Sequence, residues 1–171
     1  MSIPEELRQS RYALLRTYRR DGTAVDTPIW FAADGADLVF RTKTGPKTQR
    51  LSRDPRVELR ACDHRGRVSA AALTVPGHAT RLSGAEAVAG DRALRRRYGW
   101  QYTVVPLLPI PGVRNVHRAL PLREKLRRAG ARELWPDSEI VRVECQPPRQ
   151  PGPSSALRSP ISADDGVTRN D

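Results

Sequence analysis

Cysteine is scarce in this sequence of 171 residues, because only Cys62 and Cys145 are present and they lie far apart in the chain. No two cysteines have the short spacing of a structural zinc site, and two thiols are too few for a disulfide framework. The sequence therefore excludes a zinc module and a disulfide-stabilised scaffold, and we expect no metal site.

Long hydrophobic runs are also missing. Residues 100–113 carry no charge but contain three prolines, and they are too few for a membrane-spanning helix, which needs about 20 apolar residues. The first eleven residues are polar and charged, without the apolar core of a signal peptide. We therefore expect no transmembrane segment and a cytoplasmic location. The prolines also argue against a core helix over residues 100–113.

The motifs of self-sufficient catalysis are absent too. The sequence contains no GxSxG, HExxH, CxxC or GxGxxG pattern, and none of its three histidines lies in a recognisable nucleophile motif. The residues therefore predict no catalytic side chain, and an enzyme with this sequence would depend on a cofactor.

Positive charge is what the sequence has in excess. Thirty Lys and Arg residues against nineteen Asp and Glu give a net charge of +11. Such a charge favours anionic partners, which include nucleic acid, a phosphate-bearing cofactor and an anionic membrane surface. Residues 149–171 are rich in Pro and Ser and their charges cancel, which predicts a disordered tail after a folded domain of residues 1–148.

A basic segment, residues 92–132, holds eleven Lys or Arg residues and one acidic residue. Its second half, residues 114–132, resembles a basic amphipathic helix broken near Pro121, which could meet nucleic acid or anionic lipid or simply pack on the domain through its leucines. Nucleic-acid binding is the less favoured reading, because the aromatic residues needed for base stacking occur only at the start of the segment. Peripheral membrane contact stays open.

Period-two alternation and turn signals predict six strands, at residues 12–19, 24–33, 38–42, 57–62, 68–82 and 139–145. The fifth is one long strand or a pair. Helices are predicted at residues 46–53, where Pro46 starts the helix, and at 84–98, with Gly99 as a left-handed cap. The short hairpin connections favour antiparallel pairing. The predicted fold is mainly β: a small closed or half-closed antiparallel barrel with flanking helices.

One segment, residues 41–50, has the composition of an anion site. It combines four cations and three hydroxyls where a strand runs into a helix, and they are Arg41, Lys43, Lys47, Arg50, Thr42, Thr44 and Thr48. Backbone amides and the helix dipole attract an anion at such a place, hydroxyls donate to its oxygens, and cations neutralise it. Lys47 and Arg50 are three residues apart and share a helix face. The alternative is a solvated basic turn.

Several motifs together resemble one known family. They are TYRRDGT at residues 17–23, TPIWF at 27–31, RT at 41–42, KTQRL at 47–51, DPRV at 54–57, CD at 62–63, RGR at 65–67, GHA at 77–79 and RYGW at 97–100. Over residues 8–146 the sequence resembles the pyridoxamine 5'-phosphate oxidase-like split-barrel family, and within it the branch of coenzyme F420-dependent oxidoreductases. This resemblance implies a six-stranded split β-barrel that forms a homodimer, with two cofactor sites in the clefts between subunits.

The resemblance also implies roles for individual residues. Lys47 and Arg50 would hold the cofactor phosphate, with Lys43 beside them and Thr42, Thr44 and Thr48 as hydroxyl donors. Trp30 would lie near the ring system, and Cys62 and Asp63 would line the same cleft. The implied activity is hydride transfer between the deazaflavin C5 of F420 and an unsaturated or quinone-like small molecule. The alternatives are an FMN-dependent oxidoreductase on the same fold and a deazaflavin-binding carrier without turnover.

Overall fold

The computed structural model describes residues 3–105 and 135–149, together with residues 121, 123, 124, 126 and 127. Within these ranges the strands are β1 (Tyr12–Tyr18), β2 (Ala24–Asp34), β3 (Asp37–Lys43), β4 (Arg56–Cys62), β5 (Val75–Leu82) and β6 (Ser138–Cys145). The helices are α1 (Glu5–Gln9), α2 (Pro46–Arg53), α3 (Gly84–Tyr98) and α4 (Gln101–Val104).

The six strands form a closed antiparallel barrel in the order β1-β2-β3-β6-β5-β4, and β4 pairs back with β1. This confirms the predicted fold class. Strand β1 pairs with β2 on one side and with β4 on the other. At one end of β1, Tyr12 lies opposite both Trp30 and Cys62, and at the other end Thr17 lies opposite Val25.

The barrel interior is filled by the alternate residues that period two places on one face of each strand. Leu15, Phe31, Phe40, Leu59 and Val143 are among the side chains with no exposed surface. Leu51 of α2 joins this cluster, so α2 packs against the barrel interior and contacts β1 and β3. The predicted helix at residues 46–53 is confirmed with both of its ends.

Helix α3 covers the outer face of β2, β3 and β6. A second apolar cluster forms there, in which Leu94 and Tyr98 pack on Val39 and Ile140. The outward-facing Ile140 is therefore completely buried, although it alternates with the polar residues Arg142 and Glu144 along β6.

Three sequence-based expectations need correction. The fifth strand begins at Val75, not at residue 68, because β4 and β5 are paired only as far as Leu59 and Val75. Gly99 ends α3 with a positive φ of 57°, but its ψ of −139° lies outside the left-handed helical region. No core helix was expected over residues 100–113, but the first residues of this run form helix α4, in which Tyr102 is buried.

Two other predicted segments lie largely outside the described residues. Of the basic segment beyond Val105, residues 123, 124, 126 and 127 are described as helical. Of the predicted tail, only Arg149 is described, and it forms an antiparallel bridge with Thr74. None of the helices in the described ranges is both long and apolar enough to cross a membrane.

Candidate functional site

A group of four basic side chains surrounds α2, and we call it the cationic patch. It consists of Lys47, Arg50 and Arg53 of the helix and Arg19, which follows β1. Within the described part of the chain, none of the four makes an ion pair. Burial lowers the pKa of Arg50, and the positive charges of Arg19 and Arg53 lower it further. The patch therefore carries unneutralised charge that an anion would stabilise.

Lys47 is the most perturbed member of the cationic patch. It is half-buried, and its ammonium has no hydrogen-bond partner among the described residues. Burial lowers its pKa to about 8, and the positive charge of Arg50 acts in the same direction. A cation that is partly removed from water is stabilised by an acceptor, so the site fits a phosphate group, which would supply acceptor oxygens.

A hydrogen bond to a residue of the barrel interior orients Arg50. Its Nε donates a hydrogen bond to Oγ1 of Thr17 at 3.0 Å, and Thr17 is only 1% exposed. No described residue accepts from the two terminal nitrogens of Arg50, which are the pair that binds phosphate oxygens in a bidentate manner. Lys47 and Arg50 thus present their donors from the same helix face.

The predicted hydroxyl donors Thr44 and Thr48 lie on another flank of α2. They line a cleft of about 420 Å³ together with Gln49, Ser52, Arg53, Arg81 and Glu139. The Thr44 hydroxyl donates to Oε1 of Glu139 at 2.9 Å, and Arg81 lies 2.6 Å from Oε2 of the same carboxylate. The Thr48 side chain exchanges hydrogen bonds of 3.0 Å with the backbone of Gly45. Both hydroxyls therefore have partners within the protein.

The other three residues of the predicted anion segment lie nearby on β3. Arg41 packs its guanidinium over the rings of Tyr102 and Trp135. Thr42 is buried and lies on the interior face of the strand, the same face as Phe40 two residues earlier. Lys43 lies at the strand end with its ammonium 3.7 Å from a carboxylate oxygen of Asp137. Lys43 thus differs from Lys47 in having an acidic partner.

Trp30, Cys62 and Asp63 lie at the opposite end of β1 from the cationic patch. The five-residue step from Tyr12 to Thr17 along an extended strand is about 17 Å. Cys62 is buried, and burial raises the pKa of its thiol to about 11. Asp63 accepts hydrogen bonds from the backbone of Arg65 and Arg67, which lower its pKa to about 2. A ligand that reaches both ends must be elongated.

The indole of Trp30 is the aromatic surface at that end. It stacks on Tyr98 with ring centroids 4.6 Å apart, and its edge faces Tyr12 at 6.1 Å. The Tyr98 hydroxyl accepts from the Phe31 amide at 3.0 Å and donates to the Arg11 carbonyl at 2.7 Å. These bonds fix Tyr98, and Trp30 stays half-buried on a rigid support.

Sequence reasoning missed four residues of this arrangement. Arg53 directly follows the predicted segment, and the charge pattern alone could have included it. Thr17, Arg19 and Tyr98 belong to motifs of the family resemblance, but those motifs do not indicate that Arg19 lies beside Arg50 or that Tyr98 supports Trp30. Nothing in the sequence indicates the bond between Thr17 and Arg50, which joins positions 33 residues apart.

Comparisons with known proteins agree with the barrel. A family model described as pyridoxamine 5'-phosphate oxidase matches residues 2–129. No curated protein sequence matches the chain significantly.

Three solved structures illustrate what the barrel is similar to. An F420 reductase is 20% identical, over 87% of this chain and 97% of its own, with a TM-score of 0.53. A FAD-binding protein from Mesorhizobium loti is 16% identical over 84% and 87%, with a TM-score of 0.51. The heme storage protein HutZ from Vibrio cholerae is 11% identical over 86% and 92%, with a TM-score of 0.54. At these identities the likeness establishes the fold alone.

Proposed function

The chain belongs to the pyridoxamine 5'-phosphate oxidase family, and from this premise we propose that it is an F420-dependent oxidoreductase. Its reaction is hydride transfer between the deazaflavin C5 and an unsaturated or quinone-like small molecule. The likeness to an F420 reductase supports the cofactor class. The likenesses to FAD-binding and heme-storage proteins show that the fold accepts several ring systems, so the choice of F420 depends on the residues of this chain.

The observation that carries the proposal is the unpaired charge of the cationic patch. A single terminal phosphate, as in FMN, needs one or two cations. F420 bears a phosphodiester followed by an acidic glutamate tail, and a longer anion requires more cations. Lys47 and Arg50 suit the phosphodiester, and Arg19 and Arg53 extend the positive charge on either side of Arg50.

The protein contributes binding and orientation to this chemistry, because the bound deazaflavin itself supplies the hydride. Trp30, supported by Tyr98, provides a flat apolar wall against which a ring system can stack. Apolar walls also exclude water from the reacting atoms. The catalytic requirement on this chain is therefore to hold two rings in line.

We further propose that the active form is a homodimer with the cofactor sites between subunits. At the end of β1 that holds Tyr12, the outer face of β1 and β2 carries the apolar or aromatic residues Tyr12, Leu14, Pro28 and Trp30, and the ion pair of Arg16 and Asp26 lies next to them. Among the described helices, α3 covers β2, β3 and β6 and leaves the outer face of β1 to other contacts. A second copy of the chain is the partner that the family resemblance implies for this face.

A pair of fluorescence titrations tests the cofactor assignment. Wild-type protein is titrated with F420 and with FMN, and both titrations are repeated with Lys47→Ala. We expect tighter binding of F420, weakened at least tenfold by Lys47→Ala, since a charge-assisted hydrogen bond contributes about 1.5–3 kcal/mol. Lys43→Ala is the matched control, because this lysine lies in the same segment and is paired with Asp137. The control should bind within about threefold of wild type.

Turnover is measured by mixing the protein with reduced F420 and a panel of quinones and following reoxidation of the cofactor. Acceptor-dependent reoxidation supports the proposed reaction. Tighter binding of FMN than of F420 would instead assign the protein to flavin-dependent oxidoreductases. Tight F420 binding without turnover on any acceptor would indicate a carrier.

A further inference from the structure

Thr17 is a polar residue in an apolar place. It lies on the interior face of β1, the same face as Ala13 and Leu15, which have no exposed surface. Thr17 itself is 1% exposed. A hydroxyl in such surroundings is stable only when it is hydrogen-bonded, and a valine would fill the same volume without that requirement.

The Thr17 hydroxyl both donates and accepts a hydrogen bond. Its proton is donated to the carbonyl of Val25 at 3.3 Å, across the β1–β2 pair. Because the proton is directed to Val25, a lone pair of Oγ1 is available to Nε of Arg50, which donates to it at 3.0 Å. The hydroxyl therefore links the wall of the barrel to a guanidinium of the cationic patch.

This link determines what Arg50 can do. A guanidinium held through Nε keeps its plane and leaves the edge between its two terminal nitrogens free to donate. In a half-buried position beside Lys47, an arginine without this anchor would spread over several rotamers and lose affinity through entropy. The anchor comes from the close-packed interior of the barrel, where Thr17 is buried.

We propose that Thr17 is a positioning residue for the anion site, which acts by orienting Arg50 for bidentate binding of phosphate. The inference rests on the proposed function, since it takes the cationic patch to be the place where the cofactor phosphate binds. It adds a residue that does not touch the ligand and comes from a strand outside the predicted anion segment.

The test is a double-mutant cycle read out by calorimetric titration with inorganic pyrophosphate and, separately, with F420. The variants are Thr17→Val, Thr17→Ser, Arg50→Ala and the double variant Thr17→Val/Arg50→Ala. We expect Thr17→Val to weaken pyrophosphate binding about 5- to 10-fold, the value of one hydrogen bond. Thr17→Ser keeps the hydroxyl and should bind as wild type does. In the Arg50→Ala background, Thr17→Val should cause no further loss.

Several outcomes overturn the inference. They are wild-type affinity in Thr17→Val, an equal loss in both backgrounds, and failure of the wild-type protein to bind pyrophosphate. Melting temperatures of all four variants separate a folding defect from a binding defect, because a purely structural role would lower stability without removing the dependence on Arg50. If pyrophosphate follows the expected pattern but F420 does not bind, the role of Thr17 is supported and the proposed function is wrong.

Discussion

At the scale of single residues, the cations around α2 differ from the ion-paired cations of the barrel strands. Several basic residues of the strands have acidic neighbours. Arg16, for example, contacts Asp26 at 2.8 Å and Glu58 at 3.6 Å across three adjacent strands. Lys47 and Arg50 have no such neighbour in the described structure. The contrast favours a site prepared for an external anion over a generally basic surface.

The titration of Lys47 makes anion binding dependent on pH. Its pKa of about 8 means that the ligand-free protein loses this charge as the pH rises from 7 to 9. We therefore predict that the affinity for F420 falls over this interval. Lys47→Arg should bind with a much flatter profile, because a guanidinium stays protonated. Titrations at half-unit steps of pH measure both profiles, and equal slopes in the two proteins would contradict the assignment.

The same pKa has the opposite effect on the stability of the ligand-free protein. Between pH 8 and the ordinary lysine value of 10.5, the unfolded chain binds a proton at Lys47 that the folded chain has released. Stability contributed by this group therefore rises with pH across that window. A saturating anion should cancel the rise by restoring the proton, so melting curves with and without pyrophosphate distinguish the two states.

Among the helices and strands, α3 packs on the barrel with its backbone at Gly90 close to a side chain of β6. A Cβ added to Gly90 would lie 2.8 Å from Cγ2 of Ile140, and the other two nearest atoms, from Leu82 and Val39, would be 3.8 Å away. The absence of a side chain at Gly90 thus lets the helix approach β6. Because α3 ends at Tyr98, which supports Trp30, its position also determines the aromatic surface of the candidate site.

A second contact holds the segments that follow α3. The guanidinium of Arg41 on β3 lies 3.9 Å from the ring centre of Tyr102 and 4.4 Å from that of Trp135. It also donates to the Tyr102 carbonyl at 2.9 Å. Arg41 therefore joins α4 to the chain that enters β6, and its role in this structure is to hold these elements together.

We predict that Gly90→Ala destabilises the protein. The overpacking against Ile140 costs about 1–3 kcal/mol, which exceeds or offsets the gain of about 1 kcal/mol in helix propensity. Chemical denaturation should show a lower midpoint with an unchanged slope. Val88→Ala, on the exposed face of the same helix, should change stability by less than about 0.5 kcal/mol. A more stable Gly90→Ala protein would show that α3 can move outward freely.

At the scale of the whole molecule, the outer surface of the barrel is not uniform. One part, over β2, β3 and β6, is covered by α3. The outer face of β5 carries the exposed polar residues His78 and Thr80. That of β1 and β2 carries aromatic and apolar side chains from Tyr12 to Leu14 and from Pro28 to Trp30, followed by the ion pair of Arg16 and Asp26. This difference is why the proposed homodimer is assigned to the β1–β2 face.

A charge placed on each face tests this assignment. Pro28 of β2 and Thr80 of β5 are both exposed in the single chain, so aspartate at either position should leave the barrel folded. We predict that wild type and Thr80→Asp have twice the chain mass of 19.1 kDa by light scattering. Pro28→Asp should have the mass of one chain and lose F420 binding together with the dimer. A dimeric Pro28→Asp would mean that subunits associate through another surface.

Short-range patterns in the sequence are enough to predict the local features of this protein. Alternation of apolar residues gave β1 to β4 and β6 to within a residue or two, and Pro46 gave the start of α2, because these signals come from neighbours in the chain. The clustering of cations near Lys47 was visible for the same reason. Residues 68–74 also have the pattern of a strand, yet among them only Thr74 is paired, in an isolated bridge with Arg149.

Which of the candidate residues act together depends on how the chain folds. It separated Lys47 and Arg50 from Thr44 and Thr48 on different flanks of one helix, and it placed Trp30 at the far end of β1. It also brought Thr17 to Arg50 across 33 residues and Glu139 to Thr44 across 95. Hydrogen bonds and charge pairing depend on distance in space, and closure of the barrel sets those distances between strands that are remote in the chain.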